Sequence, residues 1–337
     1  MMRVAAIVAA LLAGAGGANA VPPSAVHQAV VDGDAMPAKL SAFGLFQGND
    51  PARPLGSFAY TLRTPLFSDY TEKRRFVSLP PGQKAMVAAD GTVQFPVGTV
   101  LVKSFGWADV NGGRPVETRL LIHRKTGWVA LPYVWDDDGR DATLKIAGAR
   151  VPVNFRAPDG TAQSIRYAVP NKNQCKECHS LNDTLVPIGP KALNMVPVGQ
   201  DAARHFTNPA ALKPTMPRWD DAATGTLDQR ARAYLDINCA HCHNPAGSAS
   251  NSGLFLGWDV TNTRAVGIGK RPVAAGRGSG GHDFAIAPGH PDASIMIYRL
   301  ESTEPGVAMP ELGRSTVHRE GADLLRQWIA AMPKGGH

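Results

Sequence analysis

The sequence predicts an α+β protein, with an N-terminal β-sandwich or barrel-like domain followed by a mainly helical domain. Residues 41–168 hold short apolar or alternating runs separated by Asp-Gly, Gly-Gly and Lys-Thr-Gly turn signals. Strand signals fade after Pro170, and two amphipathic helical patterns frame residues 223–337. Residues 169–222 are therefore predicted to link the two domains.

The first twenty residues are typical of a secretory signal peptide. Arg3 precedes an apolar run, and Ala18-Asn19-Ala20 is a small-x-small cleavage signal. The run is too short and too rich in Ala and Gly to favour a membrane anchor. We expect cleavage after Ala20, a periplasmic location and an extended lead-in over residues 21–40.

The charge balance bears on the class of partner. The chain has 337 residues and a formal net charge of +7, yet its Lys and Arg are scattered and form no basic run interleaved with aromatics. A nucleic-acid partner is therefore not expected, and no later segment is apolar enough to predict a membrane span. A mildly basic surface favours docking to an acidic redox protein, although simple solubility explains it as well.

The four cysteines form two C-x-x-C pairs, and a His follows each pair. The residues are Cys175, Cys178 and His179 in the first motif, and Cys239, Cys242 and His243 in the second. The spacing puts both sulfurs near one helical turn, which suits two thioether bonds to one haem edge, and the following imidazole suits the proximal iron ligand. The pattern C-x-x-C-H is typical of c-type haem attachment. The sequence therefore predicts two covalently attached haem c groups per chain.

Three other kinds of site use cysteines in similar patterns. A four-cysteine zinc site would use two such pairs, but 60 residues separate Cys178 from Cys239 and zinc does not require the two histidines. A thioredoxin-type dithiol needs a βαβ context, which neither pair has. Two local disulfides remain possible in an oxidising compartment.

Helical periodicity surrounds the second motif. Leu227, Ala231, Tyr234 and Leu235 lie on one face of a helix that Thr224 or Thr226 can cap. A terminal helix has its own apolar face, can be capped by Ser315 or Thr316 and ends at Pro333. Its apolar residues are Leu324, Leu325, Trp328, Ile329 and Met332.

The last third of the chain, with its helix, C-x-x-C-H motif, loops, methionine and terminal helix, resembles class I cytochrome c. The resemblance implies that the first and last helices cross and that a methionine loop supplies the sixth iron ligand. The matching residue is Met309 in "GVAMPELGR". Thioether ligation would raise the reduction potential.

The surroundings of the first motif are less complete. About 45 residues follow His179 before the next helix, too few for a whole cytochrome domain, so the first haem is predicted to lie between the two domains. Met216, then Met195, then His205 are the candidates for its sixth ligand, and an open position is the alternative. We expect His241, inside the second motif, to be exposed.

At the level of the whole chain the sequence resembles a little-characterised family of exported bacterial proteins with two C-x-x-C-H motifs. The resembling stretches include "LRTPLFSDYTEKRRFV", "RYAVPNKNQCKECHS", "RARAYLDINCAHCHNPAG" and "MPELGRSTVHREGADLLRQWI". The resemblance implies an exported haem protein and no particular reaction. We expect a dihaem cytochrome that carries electrons. A peroxidase- or oxidase-type haem enzyme with one open site, and a binding module that uses the β domain, are the alternatives.

Overall fold

The computed structural model describes residues 25–273 and 275–334. Within them the chain is α+β, with one large antiparallel sheet and several helices. The predicted signal peptide, its cleavage point at Ala20 and residues 21–24 lie outside the described residues.

Thirteen strands are present in the described part of the chain. They are β1 (Phe58–Leu62), β2 (Glu72–Ser78), β3 (Met86–Val87), β4 (Val93–Gln94), β5 (Val100–Gly106), β6 (Glu117–Arg124), β7 (Gly127–Trp135), β8 (Ala142–Leu144), β9 (Ala149–Arg156), β10 (Ala162–Val169), β11 (Ser180–Leu181), β12 (Thr184–Leu185) and β13 (Met195–Val198). Seven form one antiparallel sheet in the order β13-β1-β2-β5-β6-β7-β8, and the other six form three two-stranded ribbons. The strands thus make an open sheet with attached ribbons, where the sequence predicted a sandwich or barrel.

Both faces of the sheet are covered, which explains why its central strands are apolar on both sides. Residues 25–46, which include the short helix α1 (Gln28–Asp32), pack Val31 and Phe43 against Tyr133 on one face. This part of the predicted lead-in is therefore folded onto the sheet. The other face contacts the helix that carries Cys175.

The segment predicted to link the domains contributes to the sheet itself. Its helix α2 (Lys172–Cys178) carries the first motif, and β13 pairs with β1 so that Met195 lies opposite Leu62. The strand β13 contains Pro197, which fits an edge strand because proline has no N–H to donate. So short a strand with a proline gives little sequence signal.

Four helices follow: α3 (Leu227–Asn238), α4 (Thr263–Val266), α5 (Ile295–Glu301) and α6 (Arg319–Ala330). Thr226 caps α3 in a capping box with Gln229, as the sequence predicted. The predicted cap of α6 at Ser315 or Thr316 is wrong, because α6 begins after His318.

The helices α3 and α6 approach each other closely. A Cβ on Gly321 would lie 2.5 Å from ring carbons of Tyr234, so glycine is the residue that permits this contact. Trp328 Nε1 donates to Asp228 Oδ1 at 2.8 Å across the same pair. No helix in the described ranges is both long and apolar enough to cross a membrane.

Candidate functional site

The first motif lies on α2, against the sheet. The side chains and backbone N–H groups of Asn171 and Gln174 bond reciprocally and fix the start of this helix. Helical spacing places Cys175 and Cys178 on neighbouring positions of one face. The N–H of His179 donates to the carbonyl of Cys175 at 3.0 Å and ends the helix.

The second motif follows the last turn of α3. The N–H of Cys239 donates to the carbonyl of Leu235, and the carbonyl of Cys239 then accepts from Cys242 and His243. This turn gives the second motif the same local arrangement as the first, two thiols one turn apart and a histidine after them.

The histidines of the two motifs are held in the same way. His179 Nδ1 bonds the carbonyl of Val186 at 3.0 Å, and His243 Nδ1 bonds Ser252 Oγ at 3.1 Å. Neither Nε2 atom bonds another described residue. A ligand histidine is oriented in this manner, with one nitrogen fixed and the other presented to a metal. Burial lowers the pKa of His179 to about 4 and also lowers that of His243, so both imidazoles are neutral at pH 7.

A cavity of about 540 Å³ adjoins the second motif, and we call it the upper cavity. Cys239, Cys242 and His243 line it, and so does Met309. The structure therefore brings together all four residues that the sequence assigned to the second site. A volume of this size is within the range of cofactor pockets.

Two methionines line the upper cavity, Met309 and Met296. Met296 lies on α5 and packs against the helical core. Met309 lies in a loop whose backbone is fixed by two hydrogen bonds, since its N–H donates to Arg299 and its carbonyl accepts from Arg314 Nη2 at 2.8 Å. The loop position makes Met309 the better candidate for a ligand.

A second cavity, of about 220 Å³, lies between the sheet and the helices, and we call it the lower cavity. The first motif lines it with Cys175, Cys178 and His179, opposite residues of the helical region such as Tyr234 and Arg314. The sequence predicted a first haem between the two domains, and the occupant of this cavity stays a prediction.

The three candidates for a sixth ligand at the first motif lie elsewhere. Met216 and Met195 are fully buried, His205 stacks on Phe58, and none of them lines either cavity. Met216 therefore gains no support from the cavities and stays a prediction. His241 and His318 do line the lower cavity.

His241 was expected to be exposed, and this is wrong. It is half-buried, lines both cavities, and its Nδ1 is buried without a partner among the described residues. Sequence spacing within the second motif placed it away from His243 but could not show that the first motif covers it.

The two motifs meet at their second cysteines. One ligand atom each from Cys178, His241 and Cys242 lies within 4.8 Å of the others, and Cys178 lines both cavities. Cys242 Sγ also approaches the carbonyl of Glu177, at 3.6 Å. All four cysteines are free thiols in this structure.

The thiols differ in acidity. Burial raises the pKa of Cys175, and it raises that of Cys239 to about 12. A hydrogen bond to Cys242, together with burial, raises the pKa of Cys178. The same hydrogen bond lowers the pKa of Cys242 to about 4.

Buried polar contacts that sequence reasoning missed hold the sheet against the helices. Asp69 Oδ1 accepts the backbone N–H groups of Ser315 and Thr316 at 2.6 and 2.8 Å. Asp236, whose side chain is 0% exposed, accepts Lys191 Nζ at 2.7 Å. Asp69 lies in "LRTPLFSDY", part of a stretch that carries the resemblance to the exported dihaem family. That resemblance was the available signal that Asp69 matters, but it assigned the residue no role.

Comparison of the chain with models of protein families, with curated proteins and with solved structures finds no match. The description of the site therefore rests on the residues of this chain alone. Each of the two C-x-x-C-H motifs lies beside a cavity, and the two motifs are in contact at one junction.

Proposed function

We propose that this chain is a periplasmic dihaem c-type cytochrome that carries electrons to or from a redox partner. The observation that carries the proposal is the junction of Cys178 and Cys242 between two cavities, each with a neutral histidine beside it. Haem c, when bound, supplies a one-electron couple at its iron.

The donor set fits two haems. Cys175 and Cys178 would tether the first and Cys239 and Cys242 the second, with His179 and His243 as proximal ligands. Each Nδ1 bond holds its imidazole in place, so that the ring does not reorient when the iron changes charge. Because the second tether of each motif lies at the junction, electrons would cross between the sites there.

Met309 would be the sixth ligand of the second haem. The bonds from Arg314 and to Arg299 hold its loop over the upper cavity. The close contact of α3 with α6 at Gly321 supports a cytochrome c-like arrangement of the last third of the chain, with its first and last helices packed together. Membership of the exported dihaem family belongs to the same proposal.

The partner would be an acidic redox protein. Lys270 and Arg271 line the upper cavity, and the side chain of Arg271 is 70% exposed and forms a salt bridge with Asp283 at 3.0 Å. Cations at the rim of a redox site favour an acidic docking partner and a salt-dependent association rate.

A second candidate is a haem enzyme with one open site. It is favoured by the lining of the lower cavity, where no methionine is found among the described residues. An open position would allow a small ligand to reach the first iron.

A third candidate is a metal site made of Cys178, His241 and Cys242. The short mutual distances favour it, and two cysteines with one histidine form a known zinc donor set. It leaves His179, His243 and the first cysteine of each motif without a role, and it competes with haem for the same thiols. We therefore rank it below the cytochrome.

The test is expression in a host able to mature c-type cytochromes, followed by a pyridine-haemochrome assay and metal analysis. The proposal expects two covalent haems per chain, one haem in a Cys175→Ser/Cys178→Ser variant and one in a Cys239→Ser/Cys242→Ser variant. Absence of covalent haem would contradict the cytochrome proposal, and stoichiometric zinc in place of haem would favour the metal site. Two low-spin spectra favour electron carriage, and one high-spin spectrum favours the enzyme.

A further inference from the structure

Three cations lie side by side on the inner face of the sheet. The register places Arg75 of β2 opposite Lys103 of β5, and Lys103 opposite Arg119 of β6. All three line the lower cavity. We call Arg75, Lys103 and Arg119 the cationic row.

The row is only partly neutralised. Arg119 forms a two-pronged bond to Glu117, at 2.6 and 2.8 Å. Lys103 makes no hydrogen bond or salt bridge with any described residue, and its Nζ lies 4.8 Å from the ring centre of Phe105. Arg75 is 9% exposed, and its Nη2 is buried without a partner.

No acidic side chain among the described residues that line the lower cavity adds a balancing charge. Arg314 lies in the same lining, and its Nε is also buried without a partner. The Lys191 ammonium is already bound to Asp236.

Such an arrangement is unfavourable unless an opposite charge neutralises it. Like charges directly opposite on neighbouring strands repel, and an unpaired buried charge loses its hydration. Burial and the neighbouring cations lower the pKa of Lys103 well below its usual range, which reflects the same cost. A bound anion would relieve this cost and would stabilise the folded chain.

The rest of the cavity restricts what that anion is. Its walls are largely apolar, with Leu62, Leu101 and Leu121 beside the row. The planar fork of an arginine matches a carboxylate. We propose that the cationic row is a binding site for the carboxylate group of a molecule with an apolar body.

Two sources could supply this carboxylate. One is a propionate of a haem held at Cys175 and Cys178, and this source rests on the proposed function. The other is a free organic acid that enters the cavity, and it does not depend on haem. The cations act in the same way in both cases, so the experiment must separate the sources.

The experiment uses the full chain from a maturation-competent host and the variants Lys103→Met and Arg75→Met. Lys125→Met is the matched control, because Lys125 is exposed at the turn between β6 and β7. Lys103→Arg keeps the charge and is expected to retain wild-type behaviour. Midpoint potentials are measured, and thermal unfolding is followed with hexanoate, with uncharged hexanamide as its control, at constant ionic strength.

If a propionate occupies the row, Lys103→Met and Arg75→Met lower the midpoint potential of one haem, and hexanoate has no effect on the wild type. If a free acid binds, hexanoate raises the unfolding temperature of the wild type saturably, hexanamide does not, and Lys103→Met weakens the apparent affinity at least tenfold. The proposal is overturned if both variants match Lys125→Met in both measurements. Haem content is measured on the same samples. If no haem is found, the cytochrome proposal fails, but the hexanoate titration still tests whether the cationic row binds a carboxylate.

Discussion

The ligand atoms of Cys178 and Cys242 lie within 4.8 Å of each other, although the two cysteines belong to motifs far apart in the chain. The contact follows from the way the helical region packs on the sheet, because α2 lies on the sheet and the second motif lies at the end of α3. It turns two separate motifs into one junction.

Replacing either junction cysteine should leave one thioether at one haem. In Cys178→Ala and in Cys242→Ala, one vinyl group stays unsaturated, so half of the haemochrome absorption should shift to longer wavelength. Ser248→Ala is the control, because Ser248 also bonds the carbonyl of Glu177 but holds no haem. An unshifted band in both cysteine variants would contradict the assignment of these tethers.

Met309→Ala should convert one haem from low spin to high spin, because it removes a thioether ligand. Met296→Ala is the matched control, since Met296 lines the same cavity from α5. Low-temperature spin-state spectra measure the difference. A spectral change in the control alone would transfer the ligand role to Met296.

Met216→Ala should lower stability and leave both haem spectra unchanged. Met216 is 0% exposed and lines neither cavity, so its loss creates a void in the core. Removing a buried Met side chain costs about 2–5 kcal/mol of unfolding free energy, measurable by denaturant titration. A new high-spin signal in this variant would instead establish Met216 as the sixth ligand of the first haem.

Gly321→Val should destabilise the helical region. Valine would place a Cβ 2.5 Å from ring carbons of Tyr234, which α6 can relieve only by moving away from α3. We expect a loss of about 1–3 kcal/mol, with a lower unfolding temperature. Gln327→Val, on an exposed position of the same helix, controls for β-branching. Equal losses in the two variants would remove the close contact as the cause.

Because of His318, the free energy of unfolding should decrease as the pH is lowered. Burial, with help from Lys73 and Arg314, lowers its pKa to about 3, and this outweighs Glu320 at 3.8 Å. Between the unfolded value, about 6.5, and pH 3 the unfolded chain binds the extra proton, so stability is present above pH 6.5 and declines below it.

The test of this linkage compares His318→Phe with wild type across pH 3–7. The slope of unfolding free energy against pH should become shallower, by at most about 1.4 kcal/mol per pH unit. His290→Gln, at an exposed position, serves as control and should keep the wild-type slope. An unchanged slope in His318→Phe would show that other groups govern the acid response.

Local patterns predicted much of the helical region. Leu235, Leu325 and Ile329 are fully buried, as the spacing of apolar residues indicated, and Thr226 caps α3. These predictions succeeded because each depends on neighbours within one or two helical turns. The predicted start of α6 failed, since Thr316 and the residue before it bond Asp69, a residue from the other end of the chain.

Local patterns likewise predict some features of the candidate site and not others. The period-2 alternation of β5 already places Lys103 on the same face as Leu101 and Phe105, but alternation alone does not show that this face is buried. The neighbours of Lys103 depend on strand register, and that register brings Arg75 opposite it.

The sequence by itself determined the two C-x-x-C-H motifs, the α+β composition and the amphipathic helices, because these are properties of residues close together in the chain. Only the tertiary structure decided that Cys178 meets Cys242, that His241 is enclosed between two cavities, and that three cations form a row beneath the first motif. Those relationships join residues from separate strands and helices. Their distances are fixed by strand register and by how the helices pack on the sheet, neither of which a local pattern contains.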